Sequence, residues 1–448
     1  MGLNPNSDVP IAALATPPGF GALAIIRVSG PDLTTLINLF TKKLSLKNRV
    51  VKIASLYNPQ TGTILDRCLI TYFISPNSFT GEDVLEISCH GGDYVPQSIL
   101  EALFANGVRH AQAGEFSFRA FLNNKLDLIQ AESTATLIAS KSKNTAEASL
   151  TNLTGFFANS IISIRKRLLR LLFTLEKELD FTENEITFLS KKNIIKDLKF
   201  VGLGLSDLLN TAAFGKIITS GARVVFLGKP NAGKSSLFNH LLGKNRSIVS
   251  DIPGTTRDTV ESWIEVNGYS VCLVDTAGCW ESQDYLESLG IQKTLEQLAC
   301  ADIVLFVDDK NPVASFNSLS IKTENETVVF VKSKSEKTKK NKKNIIYTSV
   351  KTGVGIKNLI DEIGIKLDVL SKTTNKNTPV IMSTRQKTFI EDASKNIQQV
   401  LSLIENNNNT DIAVSLLRGC LDSLESIIGV VDNEEIINNI FNEFCIGK

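Results

Sequence analysis

Apolar residues change their spacing three times along the chain, and each change predicts a different architecture. Residues 1–118 carry short β-type runs, "ALAIIRV", "CLITYFI" and "DVLEISC", separated by turn signals such as "TPPG", "NPQTG" and "SPNS". This pattern predicts an α+β domain. Over residues 119–215 glycine thins out and apolar positions recur at helical spacing, most clearly in "IISIRKRLLRLLFTLEKELDF", which predicts long helices. Over residues 216–372 the period becomes that of strand, glycine loop and helix units. It ends around the polar stretch "SKTTNKNTP", and within residues 373–448 helical spacing returns in "RQKTFIEDASKNIQQVLSLI" and "DIAVSLLRGCLDSLESIIGVV". Helical segments therefore stand on both sides of an α/β module. The economical arrangement is a multidomain α/β chain in which that module is inserted into a split all-α helical domain, whose two parts bury each other's apolar stripes.

Bulk properties narrow the setting. A chain of 448 residues exceeds what one hydrophobic core serves and predicts about three domains. A formal net charge of +1 leaves no overall field toward nucleic acid or membrane, so any such binding must use a local patch. Seven scattered cysteines with no CxxC pair fit a reducing compartment. The start "MGLNPNSDVP" lacks the basic and apolar regions of a signal peptide, and no apolar run reaches the ~20 residues of a membrane span. A cytoplasmic protein without membrane contact is expected.

The chemistry is concentrated in the inserted module. "VVFLGKPNAGKSS" leads an apolar strand into a phosphate-binding P-loop, Gly228 to Ser235. Its backbone amides, with Asn231, Ala232 and Gly233 at the turn, can cradle phosphates. Lys234 can reach the β- and γ-phosphates, and the Ser235 hydroxyl can ligate Mg²⁺ with Ser236 beside it. In "SDIPGTTRD", Ser250, Asp251, Ile252, Pro253, Gly254, Thr255 and Thr256 form a loop able to close over the γ-phosphate, Thr256 completing the Mg²⁺ shell. A hairpin on Asn267-Gly268 then ends in Asp275-Thr276-Ala277-Gly278, where Asp275 can hold Mg²⁺ through water and the Gly278 amide can meet the γ-phosphate. Ser349-Val350-Lys351 supply a loop of the kind that packs beneath a guanine base. Together these predict a Ras-like P-loop G domain that hydrolyses GTP.

Two departures qualify that prediction. Where Ras-like proteins carry a water-orienting glutamine after the glycine, Cys279 and Trp280 stand here, so hydrolysis must borrow another group or a cation. The base-reading motif, normally Asn-Lys-x-Asp after an apolar strand, is degenerate in "TVVFVKSKSEK". A strict register puts Lys334 where the carboxylate belongs. A register slipped by two gives Ser333-Lys334-Ser335-Glu336 and restores a carboxylate, which agrees better with the GTPase form of the rest of the module.

"IAALATPPGFGALAIIRVSG", "PNSFTGEDVLEISCHGG", "AGEFSFRAFLNNKLDLIQAE", "GKPNAGKSSLFNHLLG", "DIPGTTRD", "DTAG" and the terminal "FCIGK" together closely resemble the MnmE/TrmE family of tRNA modification GTPases, over nearly the whole chain. The resemblance implies an N-terminal domain that binds a folate and dimerises, and modification of the tRNA wobble uridine at carbon 5. It implies 5-formyltetrahydrofolate or a related one-carbon folate, a homodimer, and a flavin-dependent partner, MnmG/GidA. By motif match it assigns folate binding to Arg27, Glu86, Lys125 and Lys448. Potassium binding falls to Asn231, Ser250, Ile252 and Thr255, water positioning to Glu287, and a role in modification chemistry to Cys445. Phe20 departs from the family's arginine in "TPPGRGG" and weakens any phosphate or tail contact there. His90 is expected to be a hydrogen-bonded structural residue. The competing function is a GTPase switch for ribosome or RNA assembly, which would have no use for a folate site or a terminal cysteine.

Overall fold

In "LAIIRVSG" alternate side chains are apolar, and Ala24, Ile26 and Val28 turn into a core while Arg27 turns to the other face of the strand. This alternation builds the first sheet of the computed structural model, which describes residues 9–42, 44–180, 191–245, 260–275, 296–318, 328–336, 345–371, 378–406 and 409–430, with 437, 440, 441, 444 and 447 near the C-terminus. The chain divides into two units, Met1–Ala135 with Leu424–Lys448, and Thr136–Ser423.

The first unit contains β1 (Ile11–Leu14), β2 (Leu23–Gly30), α1 (Thr34–Thr41), β3 (Lys52–Tyr57), β4 (Ile64–Phe73), β5 (Asp83–His90), α2 (Tyr94–Phe104), β6 (Arg109–His110) and α3 (Glu115–Leu122), with α4 (Leu128–Ala139) beginning in it. The strands form one sheet in the order β3-β4-β5-β2-β1-β6, antiparallel except for β1 and β6. Ile37 and Phe40 of α1 and Ile99 and Leu103 of α2 join Ile26, Val28 and Ile87 in its core. A second cluster holds Phe118 of α3 and Leu128 of α4 against Ile437, Phe441 and Phe444, so the end of the chain packs inside the unit that its beginning forms. The rings of Phe118 and Phe441 meet edge to face at 5.4 Å.

A buried ionic network ties α3 to this sheet. Glu115 is 3% exposed; it accepts from Arg109 at 3.0 Å, from the Gln112 amide at 2.8 Å and from Arg119 at 3.2 Å. Arg119 also donates to Glu82 at 3.0 Å and to the Val9 carbonyl at 3.1 Å.

The second unit contains α5 (Lys143–Leu153), α6 (Phe156–Asp180), α7 (Lys191–Asn210), α8 (Ala212–Ser220), β7 (Ala222–Leu227), α9 (Lys234–Asn245), β8 (Val260–Val266), β9 (Tyr269–Asp275), β10 (Ile303–Asp308), α10 (Pro312–Asn317), β11 (Val328–Lys332), β12 (Ile345–Tyr347), α11 (Ile356–Ser371), α12 (Thr384–Glu405) and most of α13 (Thr410–Ile428). Ile194, Leu198, Val201 and Leu205 recur at helical spacing on α7, are buried, and lie on a helix that packs against α12, from the other side of the insert. The helical segments thus come together as their periodicity predicts.

The insert is a six-stranded sheet in the order β12-β11-β10-β7-β9-β8, parallel except for the β8–β9 hairpin. Every residue of β9 and β10 is buried, which explains their unbroken apolar runs: a parallel strand covered on both faces has no polar side to show. The hairpin turns on Asn267 and Gly268, both at positive φ, and the Gly268 carbonyl accepts from the Asn144 amide of α5 at 3.1 Å. Entry to and exit from the insert lie side by side. A Cβ on Gly215 of α8 would fall 1.6 Å from the Ile381 carbonyl oxygen, and Asn152 of α5 donates to the Val380 carbonyl at 2.9 Å.

Burial alone would raise the Glu115 pKa, but the hydrogen bonds from Arg109 and Gln112 and the charges of Arg109 and Arg119 hold it below its ordinary value of 4.5. A depressed folded-state pKa stabilises fully above that ordinary value, and the contribution disappears as pH falls through the depressed one. Calorimetry between pH 6 and pH 3 should therefore show a loss of stability. Glu115→Gln, already less stable at pH 7, should lack the share of that loss below pH 4.5.

Candidate functional site

β7 delivers its last residue, Leu227, at the point where the strand order reverses, with β10 on one side and β9 on the other. Open α/β sheets bind their ligands beyond the carboxyl ends of the strands at such a point. The P-loop leaves here and α9 receives it. Gly228 is required by space as well as by backbone angle: its φ is +148°, and a Cβ would lie 2.0 Å from the Val307 carbonyl oxygen of β10. Asn231 at φ +58° and Gly233 at φ +92° turn the loop into the N-terminus of α9. Lys234 is 5% exposed, its ammonium donating to the Gly228 and Lys229 carbonyls at 2.8 and 2.9 Å. Burial pulls its pKa below the ordinary range, against the charge of Asp275 at the end of β9. Ser235 and Ser236 follow, exposed at the start of α9.

The loops after β11 and β12 close one side of this cradle. Ser333 donates from Oγ to the Ala232 carbonyl at 2.6 Å, and Lys334 donates from Nζ to the Asn231 carbonyl at 2.8 Å. The Ser335 amide donates to Thr348 O at 2.9 Å, joining the two loops, and Ser349 is held by its own amide on Val354 O at 3.0 Å. Val350 packs partly against the insert's core and Lys351 is exposed. The structure thus brings together Asn231, Ala232, Gly233, Lys234, Ser235, Ser236, Asp275, Ser349, Val350 and Lys351 around one strand-end crevice. Ser250, Asp251, Ile252, Pro253, Gly254, Thr255, Thr256, Thr276, Ala277, Gly278 and Glu287 lie outside the described residues.

A second constellation sits on the open face of the first sheet. Arg27 of β2 and Glu86 of β5 are register partners, and the guanidinium donates from Nε and one terminal nitrogen to Glu86 Oε1 at 3.0 and 2.8 Å. They are 18% and 30% exposed, so both can still meet a ligand. Phe79 lies 5.3 Å from the Arg27 guanidinium, and its loop continues to Gly81, where a Cβ would fall 3.2 Å from the Lys125 side chain. Arg27, Glu86 and Lys125 therefore gather around the turn Ser78–Glu82. Phe79 was not singled out by the sequence; an aromatic residue inside the polar turn "PNSFTGED" is the signal that marks it.

The chain end approaches the same sheet. Gly447 sits at φ +97°, with the Leu14 carbonyl 2.3 Å from where its Cβ would be. Cys445 and Lys448 lie outside the described residues. Burial pushes the Cys89 and Cys272 thiols up to about 11 and those of Cys68 and Cys420 up to about 12, so these four are poor nucleophiles near neutral pH. His90 shares a hydrogen bond with Asp66 at 2.8 Å through Nδ1, as a structural histidine should. Phe20 is fully exposed.

Residues 10–125 match the N-terminal domain of the GTP-binding protein TrmE, and residues 128–445 match the MnmE helical domain. The chain belongs to the MnmE family of tRNA modification GTPases. The tRNA modification GTPase MnmE of Flavobacterium johnsoniae is 35% identical, covering 98% of this chain and 99% of its own length. Those of Aquifex aeolicus and Francisella philomiragia are each 36% identical, again over 98% of this chain and 99% of theirs. MnmE relatives thus align along both units. Among the described residues no helix is long and apolar enough to cross a membrane.

Proposed function

We propose that this chain hydrolyses GTP as one component of a cytoplasmic enzyme that modifies the wobble uridine of tRNA at carbon 5. In this reading a one-carbon folate binds to the first unit and a flavin-dependent MnmG/GidA protein is the partner. Family membership supports the GTPase and the tRNA substrate. The observation that carries the finer reading is the Arg27–Glu86 pair, with Phe79 at the guanidinium and Lys125 near Gly81 of the same turn. A carboxylate suits the donor edge of a pterin, an aromatic ring suits its face, and cations suit its oxygens or a glutamate tail. An assembly switch has no use for such a set. Ile53 and Leu69, cross-strand neighbours exposed on the same sheet face, would give a second copy an apolar surface for a homodimer.

In the second unit Lys234 would exchange its two P-loop carbonyls for phosphate oxygens. Ser235 and Asp275, a hydroxyl and a carboxylate, are hard oxygen donors of the kind Mg²⁺ prefers, and Thr256 would complete the shell. Potassium would be held by Asn231, Ser250, Ile252 and Thr255 and would supply the positive charge that an arginine finger gives elsewhere. Glu287 would position the attacking water in place of the missing glutamine.

Three outcomes test this reading. Arg27→Ala should weaken binding of 5-formyltetrahydrofolate by at least about tenfold in titration calorimetry while GDP binding is unchanged. Cys445→Ser should keep GTP turnover within about twofold of the parent, yet unmodified wobble uridine should accumulate, read by mass spectrometry of tRNA nucleosides. Turnover should fall at least tenfold when Na⁺ replaces K⁺, and similarly in Glu287→Ala, by about the share one catalytic group supplies. Equal rates in the two salts would remove the potassium mechanism.

A further inference from the structure

Two stripes run along α7 at the same helical period. Ile194, Leu198, Val201 and Leu205 are buried, whereas Lys192, Lys196, Lys199 and Leu203, offset by two residues and so about 200° around the helix, are exposed. An outward stripe is ordinarily polar throughout. This one carries Leu203, 67% exposed, and beside it Phe200, 47% exposed. Neighbouring helices frame it on both sides. Gly204 lets α6 come close, since a Cβ there would lie 3.2 Å from the Ile164 side chain, and α12 packs against α7 as well. From α6 the Arg167 guanidinium stands over the Phe200 ring, 3.7 Å from its centre, and donates to Asp197 at 2.9 Å. From α12 Glu405 meets Lys199 at 3.4 Å. Lys192 and Lys196 make no ion pair among the described residues. Arg167, Lys192, Lys196, Lys199, Phe200 and Leu203 thus line one open groove of the helical domain.

We propose that this groove binds an unpaired segment of tRNA. A chain of net charge +1 has no overall field for a polyanion, so the attraction must come from a local patch, and this groove sets four cations against one lining carboxylate, Asp197, which Arg167 already neutralises. The lysines recur once per turn, about 5–6 Å apart along the axis, and so can neutralise successive phosphates rather than a single one. Phe200 supplies what phosphate binding does not need, an aromatic face held in place by the arginine stacked on it. A base can lie on such a face only when it is not enclosed in a helix of stacked pairs, which selects an unpaired strand over a duplex. An acidic protein helix would also attract the lysines, but it would need an apolar seam along its length. Here the exposed apolar side chains are Phe200 and Leu203 alone, at one end of the groove. This deepens the tRNA reading and rests on it.

The test titrates an unmodified tRNA transcript and a blunt RNA duplex of similar length, followed by fluorescence anisotropy at several KCl concentrations. The proteins are the full native chain, the double variant Lys192→Ala with Lys196→Ala, Phe200→Ala, Phe200→Trp, and Lys143→Ala, which alters an exposed lysine of α5. The double variant should bind tRNA at least about tenfold more weakly, and the slope of log affinity against log salt should become shallower by about 1.5. Phe200→Ala should weaken tRNA about tenfold and leave the duplex unchanged, while Phe200→Trp keeps native affinity. Lys143→Ala should match the native chain. All the altered side chains are exposed, so melting temperatures should stay at the native value. Native affinity and salt slope in the double variant would overturn the proposal and leave the groove to an acidic protein segment. An equal loss in Lys143→Ala, or a loss in Phe200→Ala that is the same for duplex and tRNA, would overturn it too. A native chain that binds neither RNA would overturn the tRNA reading itself, and the groove's role with it.

Discussion

The nucleotide cradle depends on one constraint, the close approach of Gly228 to β10. β7 is flanked by two strands buried along their whole length, so its end cannot shift sideways, and the P-loop must leave it within reach of the Val307 carbonyl. Only a residue without a side chain can make that exit. From this fixed point follow the left-handed turn at Asn231, the burial of Lys234 and the anchoring of Ser333 and Lys334 on the loop's carbonyls. The cradle is therefore fixed by its glycine exit and by the strands and loops on the β10 side of the sheet.

The first unit solves a different problem. On one face of its sheet two charged side chains keep a fixed geometry although both are partly exposed. Arg27 and Glu86 hold each other because antiparallel register places them side by side, and Phe79 and Phe116 flank the guanidinium. Behind them the Glu115–Arg119–Glu82 chain fixes α3 against the loop that carries Phe79. Removing one member of such a chain leaves a buried charge uncompensated, which costs more than the pair contributes.

Much of this was legible in the sequence, for physical reasons. Phosphate binding uses backbone amides at fixed spacing, so Gly228 to Ser235 could be read directly, and the change from helical to strand periods marked the insertion. Long-range pairings left weaker marks. That Phe441 and Phe444 return to Phe118 is invisible in local periodicity, because an apolar stripe does not say which partner covers it. The burial of Glu115 is hidden for the same reason, since its arginines are identified only by the fold. The register after β11 could not be fixed from composition, because Ser333 and Lys334 declare their roles only through the carbonyls they reach.

The return of Phe441 to Phe118 sets the order in which the protein can be completed on the ribosome. The sheet around β2 can form early, but the cluster beside α3 and α4 stays open until Ile437, Phe441 and Phe444 emerge. α7 likewise waits for α12 while the inserted sheet is made, roughly 10–30 s at ordinary rates of synthesis. The insert's core includes Ala148 of α5 and Ile217 and Ile218 of α8, which precede it in the chain, so it can close before α12 is made. The unit begun first is finished last, and its unfilled apolar cluster is the surface that a nascent chain must keep from aggregation the longest.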